Sequence, residues 1–353
     1  MISMNNAFDI GKRKVRNKYM FLLLAVTLLV LFILDIFLGS VNIHASDVIR
    51  ALFAPSGTDL DTIILKFRLP KAVTAVIVGI ALSLSGLQMQ TVFRNPMAGP
   101  YVLGISSGAS LGVAFVILGF SSMFQAGSIS GGGNWMLVSA AWIGAGAVLL
   151  LIMAISSKVK DIMTILILGL MLSSGISALV TIMQYFTNET MLKAYVIWTM
   201  GSLGNLTSGQ LSVLGASVFA GLVLSLFLTK MLNVLLLGEN YASSLGLNVR
   251  FARTLIFICT SILAGSVTAF CGPIGFIGIA VPHIVRILFR TSDHRILIPG
   301  TILAGGAIML LSDVISQLPG SDNVLPVNAV TSFIGIPVVI WVIMRNRKYS
   351  GAF

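Results

Sequence analysis

The chain has 353 residues, of which 57% are hydrophobic and only 9% are charged. A soluble domain carries about a quarter charged residues, so this composition excludes an ordinary soluble protein. The net charge of +11 would suit a nucleic-acid-binding protein. However, the basic residues follow the pattern that membrane topology predicts, as described below, and we expect no nucleic-acid partner.

Apolar stretches of roughly 20 residues recur along the chain and predict transmembrane helices. The ten predicted spans are 19–39, 70–92, 101–120, 134–156, 162–186, 209–232, 252–271, 275–290, 296–317 and 326–345. The eighth is short, which predicts a tilted or partly re-entrant segment. The sequence therefore predicts an all-α polytopic membrane protein. We expect one transmembrane domain over 1–353, with a basic N-terminus at 1–18, a helical bundle at 19–345 and a tail at 346–353.

The distribution of the 22 Lys and Arg residues predicts the orientation of the chain. If the spans alternate, most of these residues lie in the segments on the same side as the N-terminus. Because cytoplasmic segments are enriched in Lys and Arg, both termini are predicted to be cytoplasmic. The first span follows a basic stretch, as a signal peptide does, but no small-residue cleavage site follows it. We therefore expect a retained helix.

Three segments between the spans have distinct compositions. Residues 40–69 form the longest non-apolar segment and are predicted to be an outer loop. The Gly- and Ser-rich residues 127–134 predict an exposed turn. Segment 188–208 is too short and too polar at its ends to cross a membrane. Its amphipathic middle predicts a short helix lying at the outer surface.

Glycines are spaced for close contact between helices in the third and fourth spans. Gly104, Gly108 and Gly112 make two successive GxxxG steps, and Gly144 and Gly146 form a second patch of small residues. Small residues let helix backbones approach closely in lipid. We expect these glycines to pack helices against each other.

Asp35 and Asp313 are the only acidic residues inside the predicted apolar spans. A charge inside the membrane is a functional hypothesis by default. Both residues lie near the outer ends of their spans, within reach of interfacial water or of a cation such as Arg68. We interpret them as structural anchors and keep ion coupling as an alternative. His44 is placed in the outer loop, and His283 and His294 are placed on the cytoplasmic side, so no histidine is expected near the middle of the membrane. This disfavours a secondary transporter driven by protons or sodium.

Signatures of catalytic sites are missing from the chain. It has no HExxH, no GxSxG elbow and no GxxxxGK[ST] phosphate loop. Cys259 and Cys271 lie in one predicted span, too far apart to form a disulfide within a helix, and are interpreted as packing residues. We predict neither enzymatic activity nor a cofactor or metal in this chain, and a membrane-embedded enzyme is the disfavoured rival.

Two predicted cytoplasmic loops carry conspicuous polar residues. Residues 238–246 predict a short helix that ends at Gly246, and Asp293, His294 and Arg295 lie between the eighth and ninth spans. Each loop is either a solvated connection or a docking surface for a cytoplasmic partner. The residues alone leave both interpretations open.

The sequence resembles the iron-siderophore and vitamin B12 family of ABC-importer permeases, the FecCD-type membrane subunits of type II importers. The resemblance spans residues 68–337 and depends on an ordered set of motifs. These are Arg68-Leu69-Pro70-Lys71, Gly86 through Gln90, Arg94-Asn95-Pro96-Met97-Ala98, Leu103-Gly104, Gly238 through Gly246, Gly272 through Gly278, Pro282-His283-Ile284-Val285-Arg286, Asp293-His294-Arg295 and Ile334-Gly335-Ile336-Pro337.

The resemblance implies a subunit of ten helices that pairs with a second permease, identical or homologous, around a central path. It implies a cytoplasmic pair of ABC ATPases that hold the ATP and magnesium, and an extracellular or periplasmic binding protein that delivers the cargo. It places the chain in the bacterial cell membrane. The implied cargo is an iron chelate, with a ferric siderophore first and haem or vitamin B12 as the alternative.

The resemblance also implies roles for individual residues. The residues that match the ATPase coupling loop are Gly238, Glu239, Ala242, Leu245, Gly246 and Arg250, and those that match the cytoplasmic gate are Asp161, Ile162, Met163 and Thr164. Arg68 and Lys71 match two basic residues that dock the binding protein. Gln317 stands where a third basic residue is expected, and Arg50 or Lys66 could substitute for it. Residues 190–200 match a short external helix.

Overall fold

A computed structural model of the chain describes residues 2–39, 41, 43–119, 133–159, 161–317 and 324–350. Every regular element in these ranges is helical. The turn predicted at 127–134 lies outside them except for its last two residues, and the tail is described only as far as Ser350.

Thirteen helices account for most of the described residues. They are α1 (Ile2–Phe37), α2 (Ala45–Phe53), α3 (Asp59–Val92), α4 (Ile105–Gly119), α5 (Gly133–Lys158), α6 (Ile162–Tyr185), α7 (Glu189–Thr199), α8 (Ser208–Leu235), α9 (Glu239–Ser244), α10 (Val249–Cys271), α11 (Ile277–Phe289), α12 (His294–Ser316) and α13 (Val327–Ser350). Seven are long and apolar enough to cross a membrane, and α4, α11 and α13 supply three shorter apolar helices. Together they correspond to the ten predicted spans, including the short eighth one.

The boundaries of α1, α3 and α13 differ from the predicted ones. Helix α1 begins at Ile2, and α13 continues to Ser350, so the predicted terminal segments are partly helical. Helix α3 begins at Asp59 and not at the predicted entry near Pro70. The side chain of Thr58 accepts a hydrogen bond from the Asp61 amide, and the Asp61 carboxylate accepts one from the Thr58 amide, which makes a capping box at the start of α3.

A π-turn explains why α3 continues past Pro70. Residues Ile63–Arg68 form the π-turn, and the amide of Leu69 donates to the carbonyl of Ile64. Proline lacks an N–H and its ring clashes with the carbonyl four residues earlier, so it usually begins or breaks a helix. The wider π-turn changes the hydrogen-bonding pattern of the backbone just before Pro70, and the helix continues past the proline. The predicted loop at 40–69 therefore holds α2 and the first turns of α3.

Helices α3, α10 and α12 form the centre of the bundle. Buried residues make up 78%, 67% and 61% of their most apolar stretches, against 11% for α1 and 22% for α6. Helix α3 packs most extensively against α12, and α4 packs mainly against α5. Helices α1 and α6 therefore present long apolar surfaces outside the packed core.

Glycines bring the central helices into backbone contact. A Cβ on Gly86 of α3 would lie 1.7 Å from the carbonyl oxygen of Gly278 of α11. The predicted contact between the third and fourth spans is confirmed, because a Cβ on Gly108 would lie 2.5 Å from the carbonyl oxygen of Gly144. Gly146 has open space around it, so the second predicted patch reduces to Gly144.

The bundle has two polar ends that we name after their short helices. The α7 end carries α2 and α7, and the α9 end carries α9 and the turns before α6 and α12. The short helix predicted within 188–208 is present as α7. Cys259 and Cys271 are free and buried, in agreement with their interpretation as packing residues.

Candidate coupling and gate site

Helix α9 is a single short helix held between two glycines. Gly238, with φ +100°, precedes it, and Gly246, with φ +85°, follows it. The amide of Gly246 donates to Ser243, and the amide of Leu247 donates to Ala242, at 2.9 and 3.0 Å. This is a Schellman ending, whose left-handed residue favours glycine. The predicted short helix that ends at Gly246 is confirmed.

Three large apolar side chains are exposed on this segment. Leu237, just before α9, and Tyr241 and Leu245 are 59%, 69% and 62% exposed, and the four-residue spacing of Tyr241 and Leu245 places these two on one side of the helix. Arg250 is also exposed, whereas Ala242 is fully buried within the chain. Exposed apolar side chains grouped at a polar end are typical of a protein-protein contact. Of the predicted coupling residues, Leu245 and Arg250 face outward and Ala242 packs inward.

Glu239, the first residue of α9, is held by a side chain that the sequence analysis did not select. The Nε of Arg253 donates to Oε1 of Glu239 at 2.8 Å, and an Arg253 terminal nitrogen contacts Oε2 in the same fork. Arg253 is only 3% exposed on α10. A bidentate contact between Arg and a carboxylate is both strong and directional. Helix α9 is therefore attached to α10 through a defined ion pair.

Asp161 caps the first turn of α6, at the predicted gate. Its carboxylate accepts hydrogen bonds from the Thr164 hydroxyl at 2.7 Å and from the Thr164 and Met163 amides at 2.9 and 3.3 Å. The Thr164 hydroxyl and these amides lower the pKa of Asp161, and the positive charge of Arg253 adds a smaller contribution. Arg253 thus pairs with Glu239 of α9 and lies near enough to Asp161 for its charge to contribute at the start of α6.

The two apolar gate residues point in different directions. Ile162 is 8% exposed and packs within the chain, whereas Met163 is 42% exposed. In the first turn of α6, Met163 is therefore the apolar residue that reaches beyond the surface of this chain. An apolar side chain at such a position can close a path by excluding water.

The second polar loop has a buried histidine, although Arg295 beside it is exposed. Asp293 caps α12 by accepting from the Arg295 amide at 2.9 Å, and its carboxylate also accepts from the Asn233 side chain at 2.7 Å. The ring nitrogens of His294 lie 2.8 Å from the Thr91 hydroxyl and 2.8 Å from the Asn233 side-chain oxygen. Because His294 is fully buried, we assign it to the joint between α3, α8 and α12 and not to a docking surface.

The predicted docking residues at the α7 end are engaged within the chain. Arg68 is 8% exposed, and its guanidinium donates to the carbonyls of Ile36 and Phe37, each at 3.0 Å, and also contacts the carbonyl of Val41. Arg68 therefore clamps the end of α1. Among the residues considered for docking at this end, Lys66 is exposed and free of any ion pair in the described part of the chain.

Lys71 and the two buried acids form one cluster. The Nζ of Lys71 lies 3.0 Å from Oδ1 of Asp313, and the Gln317 amide donates to both Asp35 and Asp313, at 3.0 and 3.1 Å. The cation that reaches the buried acids is thus Lys71, where the sequence analysis named Arg68. The cluster joins α1, α3 and α12 at the α7 end. This arrangement agrees with the interpretation of the two acids as structural anchors.

No group of three or more His, Cys, Asp or Glu side chains that could hold a metal ion occurs among the described residues. The polar clusters at the two ends instead join helices to one another.

The profile of the FecCD transport family matches residues 27–345 of the chain. The chain belongs to the FecCD transport family. It is therefore a multi-pass membrane protein of the permease type, and the resemblance drawn from its motifs is confirmed. The α9 loop and the start of α6 are the two segments whose sequences were matched above to the coupling and gate positions of this family.

Two curated relatives and one solved structure show how far the similarity extends. The hemin transport system permease protein HmuU of Yersinia pestis is 35% identical over 93% of this chain and 96% of its own length. The vitamin B12 import system permease protein BtuC of Salmonella paratyphi A is 36% identical over 80% of this chain and 84% of its own. An inward-facing structure assigned to a metal-chelate type ABC transporter matches with a TM-score of 0.79 at 26% identity, over 93% of this chain and 99% of that one.

Proposed function

We propose that this FecCD-family chain is the membrane subunit of an ATP-driven importer for an iron chelate, with a ferric siderophore as the first candidate cargo. The observation that supports a driven permease is the position of Arg253. This one buried side chain pairs with Glu239 of the coupling helix and acts on Asp161 at the gate. Movement of α9 would therefore reach Arg253 through the ion pair with Glu239, and a shift of Arg253 would change the electrostatic field at Asp161.

In this mechanism a pair of cytoplasmic ATPases binds the exposed apolar side chains of Leu237, Tyr241 and Leu245. ATP and magnesium stay on the ATPases, and this chain carries out no chemistry of its own. Closure of the ATPases displaces α9, and the fork between Glu239 and Arg253 passes the displacement to α10. The resulting change at Asp161 reorients the first turn of α6 and moves Met163.

We propose that the α9 end is cytoplasmic, as are both termini, in a bacterial cell membrane. The α7 end then faces the binding protein. Lys66 is exposed there and offers positive charge to an acidic partner surface, whereas Lys71, with a side chain that is 22% exposed, is held by Asp313. Arg68 would act indirectly by positioning the end of α1. Exposed charges of this kind mainly steer encounter and set register.

We propose a second permease subunit, either another copy or a homologue, as the remaining partner in the membrane. Helix α6 is the main candidate surface, because only 22% of its most apolar stretch is buried within this chain and because, unlike the less buried α1, it carries the predicted gate at Met163. Its exposed face would line the path between the two subunits.

Haem is the second candidate cargo. The relative HmuU is a hemin permease by name and aligns over 93% of this chain, whereas the vitamin B12 permease BtuC aligns over 80%. The larger aligned share places haem before vitamin B12.

An ion-coupled secondary transporter remains as the rival from another class. It differs in predicting uptake that an ionophore abolishes and that needs no ATP.

The test is gentle purification of the chain from its native membrane, followed by mass spectrometry of the bound proteins and metal. We expect a P-loop ATPase and an iron-chelate binding protein to copurify. The assembled complex in liposomes should then take up a ferric chelate only with ATP. A chain that arrives without an ATPase, under conditions that preserve other ABC complexes, and that transports with an ion gradient alone would contradict the proposal.

A further inference from the structure

A groove of about 280 Å³ lies between α4, α6 and α7. Its polar lining includes Ser106, Ser107, Ser110, Ser177, Thr181 and Gln184. The lining contains no Lys, Arg, Asp or Glu. Hydroxyls and an amide without formal charge are thus concentrated in one place of a chain that is otherwise largely apolar.

The groove occupies the half of the bundle nearer the α7 end. Helix α4 begins beside the middle of α6, since a Cβ on Gly169 would lie 2.4 Å from the carbonyl oxygen of Val102, just before α4. From there the groove follows α4 and α6 to α7, where Tyr195 and Thr199 also line it. A solute entering from the α7 end would meet these residues before it reached the gate at Met163.

Several of the polar groups have unused hydrogen-bonding capacity. Thr181 donates to the carbonyl of Ser177 at 2.9 Å, as a hydroxyl on a membrane helix commonly does. Within the described part of the chain, the side chains of Ser106, Ser107, Ser177 and Gln184 have no hydrogen-bond partner. Unpaired amides and hydroxyls are costly in hydrocarbon, so these groups are suited to contact water or a polar solute.

One stripe of the exposed surface of α6 changes character along the helix. In the half nearer the α9 end it presents Ile167 and Leu170, which are 54% and 48% exposed. In the other half the same stripe presents Ser174, Ser177 and Thr181, at spacings of three and four residues, whereas Leu179 and Ile182 are exposed on the stripe beside it. A stripe that meets only lipid has no reason to change in this way, because both halves would lie in hydrocarbon. The change instead matches a stripe that is wet in one half and closed by apolar side chains in the other.

We infer that this hydroxyl groove, defined by Ser106, Ser107, Ser110, Ser177, Thr181 and Gln184, is a weak binding site for the cargo on its way to the gate. The inference rests on the proposed function and refines its substrate class. Hydroxyls both donate and accept hydrogen bonds, and the amide does the same. The groove therefore fits an uncharged polar surface of carbonyl and hydroxyl oxygens, as on a ferric hydroxamate chelate, and fits the apolar faces of haem poorly.

The first experiment uses the assembled importer with its ATPases and binding protein in liposomes, and three probes: a ferric hydroxamate, haem and cobalamin. The groove variant is Ser106→Ala/Ser107→Ala/Ser177→Ala. The matched control is Ser139→Ala/Ser212→Ala, which removes two exposed hydroxyls that donate to their own helices outside the groove. ATPase activity and the yield of assembled complex report on folding.

We expect the groove variant to lower ferric hydroxamate uptake per ATP hydrolysed by about tenfold, the effect of one to two lost neutral hydrogen bonds. Haem uptake and ATPase activity should match those of the control. Equal uptake by the groove and control variants, or an equal loss for all three probes, would overturn the inference. If the wild-type complex transports none of the probes with ATP, the proposed function fails, and the inference fails with it.

A second measurement keeps the inference testable if the triple variant does not assemble. Both native cysteines are buried, at 0% and 2% exposure, so a single introduced cysteine can be followed in the native background. We expect Ser177→Cys to react with a membrane-impermeant thiol reagent, and the ferric hydroxamate on its binding protein to slow this reaction. Ser212→Cys on α8 is the control and should show no such protection. An unreactive or unprotected Ser177→Cys would overturn the inference.

Discussion

Glu239 and Arg253 form a bidentate ion pair that fastens the short helix α9 to the long helix α10. The arginine is buried, while the Glu239 side chain is 28% exposed at the surface of the α9 end. The contact therefore lies between the exposed side chains of α9 and the packed core. Because the charge of Arg253 also contributes to the low pKa of Asp161, the pair lies between the proposed coupling and gate sites.

The first prediction concerns this pair. Glu239→Gln keeps the shape of the side chain and removes the charge that Arg253 faces, which should destabilise the junction by about 1.5–3 kcal/mol, the usual range for hydrogen bonds to charged groups. We expect ATPase assembly to persist and transport per ATP hydrolysed to fall. Uptake and ATP hydrolysis measured on the same proteoliposomes check the expected loss of coupling.

The reversed pair Glu239→Arg/Arg253→Glu is the control. It restores opposite charges at the same positions and should recover part of the coupling that either single change removes. If both single variants transport at the wild-type ratio of cargo to ATP, the ion pair has no part in coupling.

The second prediction concerns Asp161 and pH. Hydrogen bonds to the carboxylate lower its pKa in the folded protein, so folding is favoured by the ionised form. The cap is thus fully present above the ordinary aspartate pKa of about 3.9 and is lost as the pH falls through the lower folded-state value. We expect the amides of 163–165 to be protected from hydrogen exchange near neutral pH and to lose protection only in strong acid.

Two variants separate charge from capping at this site. Asp161→Asn keeps an oxygen acceptor at the cap and should retain protection without a pH dependence. Asp161→Ala removes the acceptor and should expose these amides at every pH. Equal exchange in the wild type and in Asp161→Ala near neutral pH would show that the cap does not hold the first turn of α6.

The sequence predicted the elements of this protein better than their contacts. The number of spans, the short eighth helix and the ending at Gly246 followed from hydropathy and from local glycine chemistry. The start of α3 did not, because Pro70 has the pattern of a helix start and the π-turn that lets the helix pass it has no sequence signature. Arg253 was missed for a related reason: its partner Glu239 lies across a turn, and only the fold shows that they meet.

The contacts of buried polar residues were also not predicted from the sequence. Arg68 was predicted to face a binding protein, yet it clamps three backbone carbonyls at the end of α1. His294 was assigned to a loop, yet it lies fully buried between three helices. In a membrane protein a polar residue near a span end is either exposed or turned inward to another helix. The sequence spacing is the same in both cases, so packing decides between them.

The third prediction concerns the pair of Lys71 and Asp313. Asp313 has 1% side-chain exposure, so Lys71→Met leaves an uncompensated buried carboxylate beside Asp35. Breaking a buried pair in this way costs about 3–5 kcal/mol, and the partial exposure of Lys71 favours the lower end. We expect a clear fall in the thermal unfolding temperature of the purified protein in detergent.

Neutralising the partner should reverse part of that loss, because Lys71→Met/Asp313→Asn leaves Asp35 as the single acid of the cluster, without a second carboxylate beside it. Arg50→Met is the matched surface control. Arg50 lies 3.5 Å from Asp47 and both side chains are partly exposed, so its loss should cost no more than about 1 kcal/mol. Similar unfolding temperatures for Lys71→Met and Arg50→Met would contradict the assignment of the cluster as an anchor.

The fourth prediction concerns the crossing of α3 and α11 at Gly86. An added Cβ would lie 1.7 Å from the carbonyl oxygen of Gly278, and backbone atoms cannot move aside as a flexible side chain can. Overpacking a tight contact usually costs about 1–3 kcal/mol, and we expect Gly86→Ala to reach or exceed the upper end. The matched change Gly146→Ala places the same methyl group where no atom lies within 4 Å. It should leave stability unchanged or raise it by up to about 1 kcal/mol, since alanine favours the helix over glycine. The measurement is the thermal unfolding temperature of Gly86→Ala and of Gly146→Ala in the same detergent. Equal unfolding temperatures would mean that α3 and α11 do not cross at Gly86.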